Sequence, residues 1–196
     1  SAAATTIIFD DLFYLQLGLA LRRKSRAQST AVAVMGTPGS LNARMTEILP
    51  FRLTGAQRRV LGEVESDMAS GCPMQRLIQG DVGSGKTMVA WLASLRAIDQ
   101  GLQALWMAPT EILAEQHHRN LHKFAAALGI RSALLTAATP AKEKQILLQG
   151  IAQGTIQFVV GTHALIQQEV RAPRMGLGVI DGQHRFGVMQ RLSLRR

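Results

Sequence analysis

Residues 80–87 carry the most explicit chemistry in the sequence, because they match the phosphate-binding pattern G-x-x-x-x-G-K-[ST] at every fixed position. Lys86 is expected to reach the β- and γ-phosphates of a nucleotide, and the hydroxyl of Thr87 is expected to bind Mg²⁺. The remaining contacts to a triphosphate are expected from the glycine-rich turn and the helix N-terminus behind it, at Gly80, Gly83, Ser84 and Gly85.

The sequence on both sides of this loop predicts the strand and the helix that such a site requires. Residues 76–79 form a short apolar stretch typical of a buried strand, and residues 88–98 have apolar positions at helical spacing without Pro or Gly. The alternative is a glycine-rich turn that binds no ligand. The order of strand, turn and helix favours the phosphate site.

From residue 54 onward, helical and strand-like segments alternate. The pattern predicts helices over 55–68, 110–127, 141–153 and 162–168, and strands over 104–108, 131–136, 156–160 and 177–180. The strands are rich in Val, Ile and Leu with little polar alternation, which is typical of strands covered on both faces. Repeated strand–helix units predict a three-layer α/β fold with a mostly parallel sheet.

The region before this domain has a different texture. Residues 1–45 are predicted to form a helical connector, and residues 46–196 the α/β domain. An amphipathic helix is expected over 9–26, because acidic residues open it and basic residues close it. A short helix over 41–49 is expected to follow, with Ser40 as its cap.

Composition indicates a globular protein with a basic surface. Hydrophobic residues make up 47% of the chain, and 22 Lys and Arg against 13 Asp and Glu give a formal net charge of +9. This balance suits a polyanion, either nucleic acid or an anionic membrane. The single cysteine, Cys72, fits a reducing compartment, and the longest apolar run, 12–21, is too short to span a bilayer. We expect a soluble, cytoplasmic monomer without a membrane partner.

Two further groups of residues could bind a metal ion. Asp181 ends an apolar strand that is expected to neighbour the strand leading into the phosphate loop. A carboxylate at the end of such a strand suits a residue that holds Mg²⁺. His118 and His122, with the neighbouring His117, place imidazoles four residues apart on a helix. No H-E-x-x-H pattern or cysteine accompanies them, so a solvated helix face is the favoured interpretation of the three histidines.

Residues 180–184, Ile-Asp-Gly-Gln-His, resemble the D-E-x-H box of superfamily 2 helicases, with Gly182 in place of the second acid. Further segments resemble, in the same order, the RecG branch-migrating DNA helicases: 49–57, 79–87, 107–117, 159–164 and 181–188. The resemblance covers about residues 46–196. It implies the first RecA-like motor lobe of an ATP-dependent DNA helicase that remodels branched DNA in recombination and repair.

For the nucleotide, the resemblance implies that Gln57 contacts the adenine edge of ATP and that Phe51 or Arg52 packs on the base. Without the resemblance, Gln57 would be interpreted as a solvated helix residue. Gln183 would sense the γ-phosphate together with His184. The implied catalytic residues are Lys86, Asp181 and His184, and the implied Mg²⁺ ligands are Thr87 and Asp181.

For DNA, the resemblance implies contacts from hydroxyls, backbone N–H groups and helix N-termini to phosphates, which do not depend on base sequence. The residues concerned are Pro109, Thr110, Gly161 and Thr162. Thr110 could also be only a helix cap. The two interpretations are compatible, since a helix N-terminus is itself a phosphate site.

The sequence departs from the family at Gly182, where the family has the Glu that positions and deprotonates the attacking water. Loss of a general base typically costs about 10²–10⁴-fold in rate. The second lobe and its arginine are also expected to be absent from this chain. We therefore expect binding of Mg-ATP and DNA with impaired hydrolysis and no unwinding by the chain alone.

Two other functions stay open. One is a non-catalytic nucleotide- and DNA-binding module that has lost hydrolysis, which Gly182 favours. The other is the motor lobe of a transcription-coupled repair translocase, which shares several of these motifs but moves on duplex DNA without separating its strands.

Overall fold

The computed structural model describes residues 39–71, 74–81 and 83–182, together with the backbone of 185–189. The predicted helix over 9–26 lies outside these residues, as do Cys72, Gln183 and His184. In the described part of the chain, no helix is long and apolar enough to cross a membrane.

The described strands form one six-stranded sheet. They are β1 (Gln75–Gln79), β2 (Gln103–Ala108), β3 (Ser132–Leu135), β4 (Phe158–Thr162), β5 (Met175–Asp181) and β6 (Arg185–Met189), in the spatial order β1-β6-β5-β2-β4-β3. β3, β4, β2 and β5 pair in parallel, and β6 is antiparallel to both β1 and β5. β1 therefore runs in the same direction as the four parallel strands, and the predicted mostly parallel sheet is confirmed.

Six helices occur in the same described residues: α1 (Ser40–Ile48), α2 (Gly55–Ala69), α3 (Lys86–Asp99), α4 (Glu111–Ala127), α5 (Ala141–Ala152) and α6 (His163–Glu169). Each has a predicted counterpart within a few residues at either end, and so do strands β1 to β5. β6 has none, because its five residues are interrupted by Gly187 and give no clear strand pattern.

The sheet separates two hydrophobic cores, as alternate residues of β2 show. Trp106 faces the larger core, which contains buried side chains from α1 to α4, whereas Leu105 and Met107 face the smaller core beneath α5 and α6. In the larger core, Phe158 makes edge-to-face contacts with Trp91 and Trp106, with ring centroids 4.9 and 5.8 Å apart. Helices on both faces confirm the predicted three-layer α/β architecture.

The start of α1 corrects one prediction. Ser40 is the first residue of the helix and not its cap, and the position before it is Gly39, which has no side chain to donate or accept. The carboxylate of Asp99, at the end of α3, accepts the Leu41 N–H instead, at 3.3 Å. Met45 of α1 is fully buried in the larger core, so this helix packs as part of the α/β domain.

Candidate functional site

The phosphate loop lies between β1 and α3, at the carboxyl edge of the sheet. Gly83 and Gly85 have φ of +83° and +80°, a left-handed conformation that glycine adopts without strain. The loop turns tightly, because the Ser84 N–H donates to the Asp81 carbonyl at 3.1 Å. A β-carbon on Gly80 would lie 2.6 Å from the Ser84 hydroxyl oxygen, so any other residue there would force that hydroxyl to turn away.

Lys86 and Thr87 are the first two residues of α3, so the helix N-terminus points into the loop. The Lys86 ammonium donates to the carbonyl oxygens of Gly80 and Asp81, the latter at 2.7 Å, and lies 3.4 Å from the Ser84 hydroxyl oxygen. The ammonium therefore lies across the mouth of the loop. To bind a phosphate, it must exchange carbonyl oxygens for phosphate oxygens, which are stronger acceptors for a cation.

Gln57 connects this loop to the start of α2. Its side-chain oxygen accepts the Thr54 N–H at 2.9 Å, and the Thr54 hydroxyl accepts the Gln57 N–H at 3.2 Å, a reciprocal capping box. Its amide nitrogen donates to the Ser84 carbonyl at 2.9 Å. The solvated interpretation of Gln57 is therefore wrong, because both ends of its amide are bonded within the protein.

A pocket of about 880 Å³ lies beside this end of α2. The described residues that line it include Leu49, Phe51, Arg52 and Arg58. Phe51 is 49% exposed, which leaves a large part of its ring free to pack on a planar ligand. The pocket is thus compatible with the predicted base contacts of Phe51, and these remain a prediction.

Asp181, at the end of β5, is only 5% exposed. It lies on the sheet face that carries α3, because the alternate residues Leu177 and Val179 pack in the larger core. Its Oδ2 atom lies 2.7 Å from the Nε2 atom of His117. Its Oδ1 atom is buried and has no hydrogen-bond partner among the described residues. A buried carboxylate oxygen of this kind fits a hard cation such as Mg²⁺.

The three histidines of α4 differ in their surroundings, and the solvated interpretation is wrong for His117. His117 as a whole residue is 9% exposed, and its ring is bonded to Asp181. Helical spacing could have revealed it, since buried Ala114 and Leu121 stand three residues before and four residues after it.

The two other histidines lie on a different side of α4, against β3. His118 Nε2 and His122 Nδ1 lie 3.3 and 3.0 Å from the Ser132 hydroxyl, and their rings stack at 5.1 Å. Burial, followed by the nearby His122, lowers the pKa of His118. Within the residues that the structure describes, no group of three metal-binding side chains includes this pair.

The residues predicted to contact DNA lie at the same carboxyl edge, after β2 and β4. The two strands pair in parallel with Ala108 opposite Thr162. Pro109 and Thr110 are exposed, and the Thr110 hydroxyl caps α4 by accepting the Leu113 N–H at 3.3 Å. Thr162 is half-buried and precedes α6, and no capping hydrogen bond to its side chain is present.

Gly161 differs from these three residues because it is buried inside β4. A β-carbon there would lie 2.8 Å from the Leu135 carbonyl oxygen, so close packing between β4 and β3 requires glycine. Gly182 follows Asp181 and is exposed. The residue that follows Asp181 in the chain therefore carries no acid–base group.

Comparison with known proteins agrees with this geometry. Residues 54–196 match the DEAD/DEAH box helicase family. The chain is 46% identical over 194 residues to the ATP-dependent DNA helicase RecG of Synechocystis sp., and 45% identical over 192 residues to that of Escherichia coli. These matches cover 99% and 98% of the chain but only 23% and 28% of the two relatives, so the chain spans about a quarter of their length.

Solved structures give the same result. The structure of RecG bound to a three-way DNA junction matches with a TM-score of 0.77 and 43% identity, covering 90% of this chain and 24% of that one. A crystal structure of the DUF1998 helicase MrfA matches with a TM-score of 0.54 and 18% identity, covering 72% of this chain and 22% of that one. The second likeness concerns the fold alone.

Proposed function

The chain belongs to the DEAD/DEAH box helicase family, and we propose that it is the ATP-binding motor lobe of a DNA helicase that remodels branched DNA. One observation carries the proposal. The phosphate loop, Asp181 and the exposed segment at Thr110 all lie at the carboxyl edge of one sheet, where α/β proteins bind their ligands. A nucleotide and a DNA backbone can therefore contact the same rigid edge.

At the nucleotide half of this edge, Lys86 binds the β- and γ-phosphates, and Thr87 and Asp181 hold Mg²⁺. When bound, Mg²⁺ neutralises charge on the phosphate oxygens. Gln57 contacts the adenine edge with the amide hydrogen and the oxygen lone pair that its bonds to the Ser84 carbonyl and the Thr54 N–H leave free. The same amide therefore joins the start of α2, the phosphate loop and the base.

At the DNA half, Pro109, Thr110 and Thr162 contact phosphates through backbone groups and hydroxyls. The net charge of +9 supports a polyanionic partner. The relative whose structure contains a three-way DNA junction supports branched DNA as the substrate of the whole protein. Action in DNA repair and recombination, in the cytoplasm, is part of the same proposal.

Gly182 limits what the lobe does with ATP. Glycine cannot accept a proton from water, so we expect bound nucleotide to be hydrolysed about 10²–10⁴-fold more slowly than with Glu at this position. This observation also favours the second candidate function, a nucleotide-controlled DNA-binding module without hydrolysis. Installing Gly182→Glu in the full-length protein separates the two, because only a motor site gains DNA-stimulated ATP hydrolysis from the added carboxylate.

Nucleotide binding by the chain tests the proposal directly. We expect a fluorescent ATP analogue to bind in the presence of Mg²⁺, with Lys86→Ala lowering its affinity about 10–100-fold through loss of a charged hydrogen bond. Lys123→Ala, an exposed position on α4, removes the same charge away from the loop and is the matched control. Equal affinity for Lys86→Ala and Lys123→Ala, or strand separation by this chain alone, would contradict the proposal.

A further inference from the structure

The contact between His117 and Asp181 gives the nucleotide site a component that its motifs do not include. We infer that His117 is a positioning residue for the Mg²⁺-binding carboxylate: it holds Oδ2 of Asp181 so that Oδ1 is presented to the cation. The inference rests on the proposed function, because it assigns a role to a residue that contacts neither nucleotide nor metal.

The geometry of the contact carries the first step. His117 Nε2 and Asp181 Oδ2 are 2.7 Å apart, at the short end of the range for a hydrogen bond to a carboxylate. Because an ionised carboxylate only accepts, the Nε2 atom of His117 is the donor. The two residues are 64 positions apart and lie on different elements, α4 and β5. Only the tertiary fold brings them together.

The two carboxylate oxygens of Asp181 have different surroundings. Both side chains are nearly buried, with 11% exposure for His117 and 6% for Asp181, so water does not readily replace the bond. His117 occupies Oδ2, whereas the buried Oδ1 has no hydrogen-bond partner in the described part of the chain. A carboxylate fixed through one oxygen keeps the other in a defined direction.

The His117 ring is itself connected, through Trp106, to the helix that follows the phosphate loop. It packs edge-to-face on Trp106, with ring centroids 5.5 Å apart and an interplanar angle of 71°. The Trp106 indole N–H donates to the Ser94 hydroxyl at 2.9 Å, and that hydroxyl donates to the Ala90 carbonyl at 2.8 Å. Ser94 and Ala90 belong to α3, the helix that begins with Lys86 and Thr87.

These contacts join the two halves of the cation site. Thr87 stands on α3 and Asp181 on β5, and the chain of contacts through Trp106 and His117 connects those two elements. Groups that orient a metal-binding side chain typically change metal affinity about 10–100-fold when they are removed. We therefore expect removal of the His117 bond to raise the Mg²⁺ concentration that nucleotide binding requires. Nucleotide binding in the absence of Mg²⁺ should stay the same.

The experiment measures the affinity of the chain for a fluorescent ATP analogue at rising free Mg²⁺ and in EDTA. His117→Asn and His117→Gln form the decisive pair, because the glutamine amide can reach Oδ2 and the shorter asparagine cannot. We expect His117→Asn to need about tenfold more Mg²⁺ for half-maximal effect, and His117→Gln to stay near the parent. His118→Ala, one residue along the same helix and bonded to Ser132, is the control. Asp181→Asn sets the scale of complete loss.

Each outcome decides between the two proposals. Absence of any Mg²⁺-dependent binding by the parent chain defeats the proposed function and with it this inference. A normal parent with an unchanged Mg²⁺ requirement in His117→Asn defeats the inference alone. Equal loss of EDTA-resistant binding in both His117 variants, with lowered melting temperatures, also overturns it, because His117 would then act only through the stability of the fold.

Discussion

Gln103, the first residue of β2, offers the sharpest test of how the fold is held together. Its side chain is 1% exposed and joins three separate segments of the chain. The amide nitrogen donates to the carbonyls of Ile151 and Ile156, at 2.9 and 2.8 Å, and the amide oxygen accepts the Arg174 N–H at 3.2 Å. Ile151 lies in the last turn of α5, Ile156 in the connection between α5 and β4, and Arg174 just before β5. We therefore consider Gln103→Met, which keeps the length of the side chain and removes every hydrogen bond.

The magnitude follows from what each partner loses. The Ile151 carbonyl still accepts the Gly154 N–H at 3.0 Å, so its loss is partial. The Ile156 carbonyl and the Arg174 N–H lose the bond that Gln103 provides. The Ile156 carbonyl is buried, and leaving a buried polar group unpaired costs about 1–3 kcal/mol, whereas loss of the bond to the partly exposed Arg174 N–H costs about 1 kcal/mol. Together these predict a loss of about 2–4 kcal/mol in the free energy of unfolding. For a domain of this size, the melting temperature should fall by about 5–15 °C.

Urea unfolding followed by tryptophan fluorescence measures this loss, because Trp91 and Trp106 are both buried in the larger core. Gln149→Met, an exposed position on α5, is the matched control and should change stability by less than about 0.5 kcal/mol. A loss below about 0.5 kcal/mol for Gln103→Met would refute the reasoning, since buried groups would then have found other partners. An equal loss in both variants would show that methionine itself is the cause.

Two further predictions concern Asp99 and Gln57. Burial raises the pKa of Asp99 above its ordinary value of 3.8, so the folded state binds a proton at this carboxyl more tightly than the unfolded state, and its charge destabilises the fold above that pKa. Asp99→Asn can still accept the Leu41 N–H, and in urea unfolding at pH 7 it should be at least as stable as the parent. Its advantage should disappear as the pH falls toward 3.8. Asp99→Ala loses the acceptor for the Leu41 N–H and should cost about 1 kcal/mol of stability. A larger advantage for Asp99→Asn at pH 4 than at pH 7 would contradict the sign. Gln57→Glu keeps the acceptor for the Thr54 N–H but turns a carboxylate toward the Ser84 carbonyl and the phosphates. Repulsion between the carboxylate and the phosphates should weaken binding of the ATP analogue about tenfold. An affinity equal to that of the parent would show that residue 57 does not face the phosphates.

The elements of the fold were predictable because their signals are local. Apolar spacing and Gly–Pro breaks located α2 to α6 and β1 to β5, and the spacing of fixed residues located the phosphate loop. Ser40 was predicted as a helix cap from its neighbours alone, whereas the acceptor at that helix start comes from Asp99, 58 residues away from Leu41. Contacts of this length leave no trace in a short window of sequence.

The site was predictable to the same extent and for the same reason. Lys86, Thr87 and Asp181 follow from motifs, but the bond from His117 to Asp181 depends on how α4 packs across β5. The helical stripe of Ala114 and Leu121 shows that His117 points inward, and only the fold shows what it meets there. The pair His118 and His122, four residues apart, lies on a different side of the helix and contacts Ser132 instead.

The position of α4 ties the two halves of the proposed site together. Its first turn is capped by Thr110, a predicted DNA contact, and two turns later His117 holds the carboxylate of Asp181. We therefore expect a DNA phosphate that draws this helix N-terminus toward it to displace His117 as well, because a helix moves nearly as a rigid body. Any change that DNA makes in the affinity for Mg-nucleotide must be matched by an equal change that Mg-nucleotide makes in the affinity for DNA. Because Gly182 cannot activate water, we expect this reciprocal control of binding to persist in the lobe even where hydrolysis is slow.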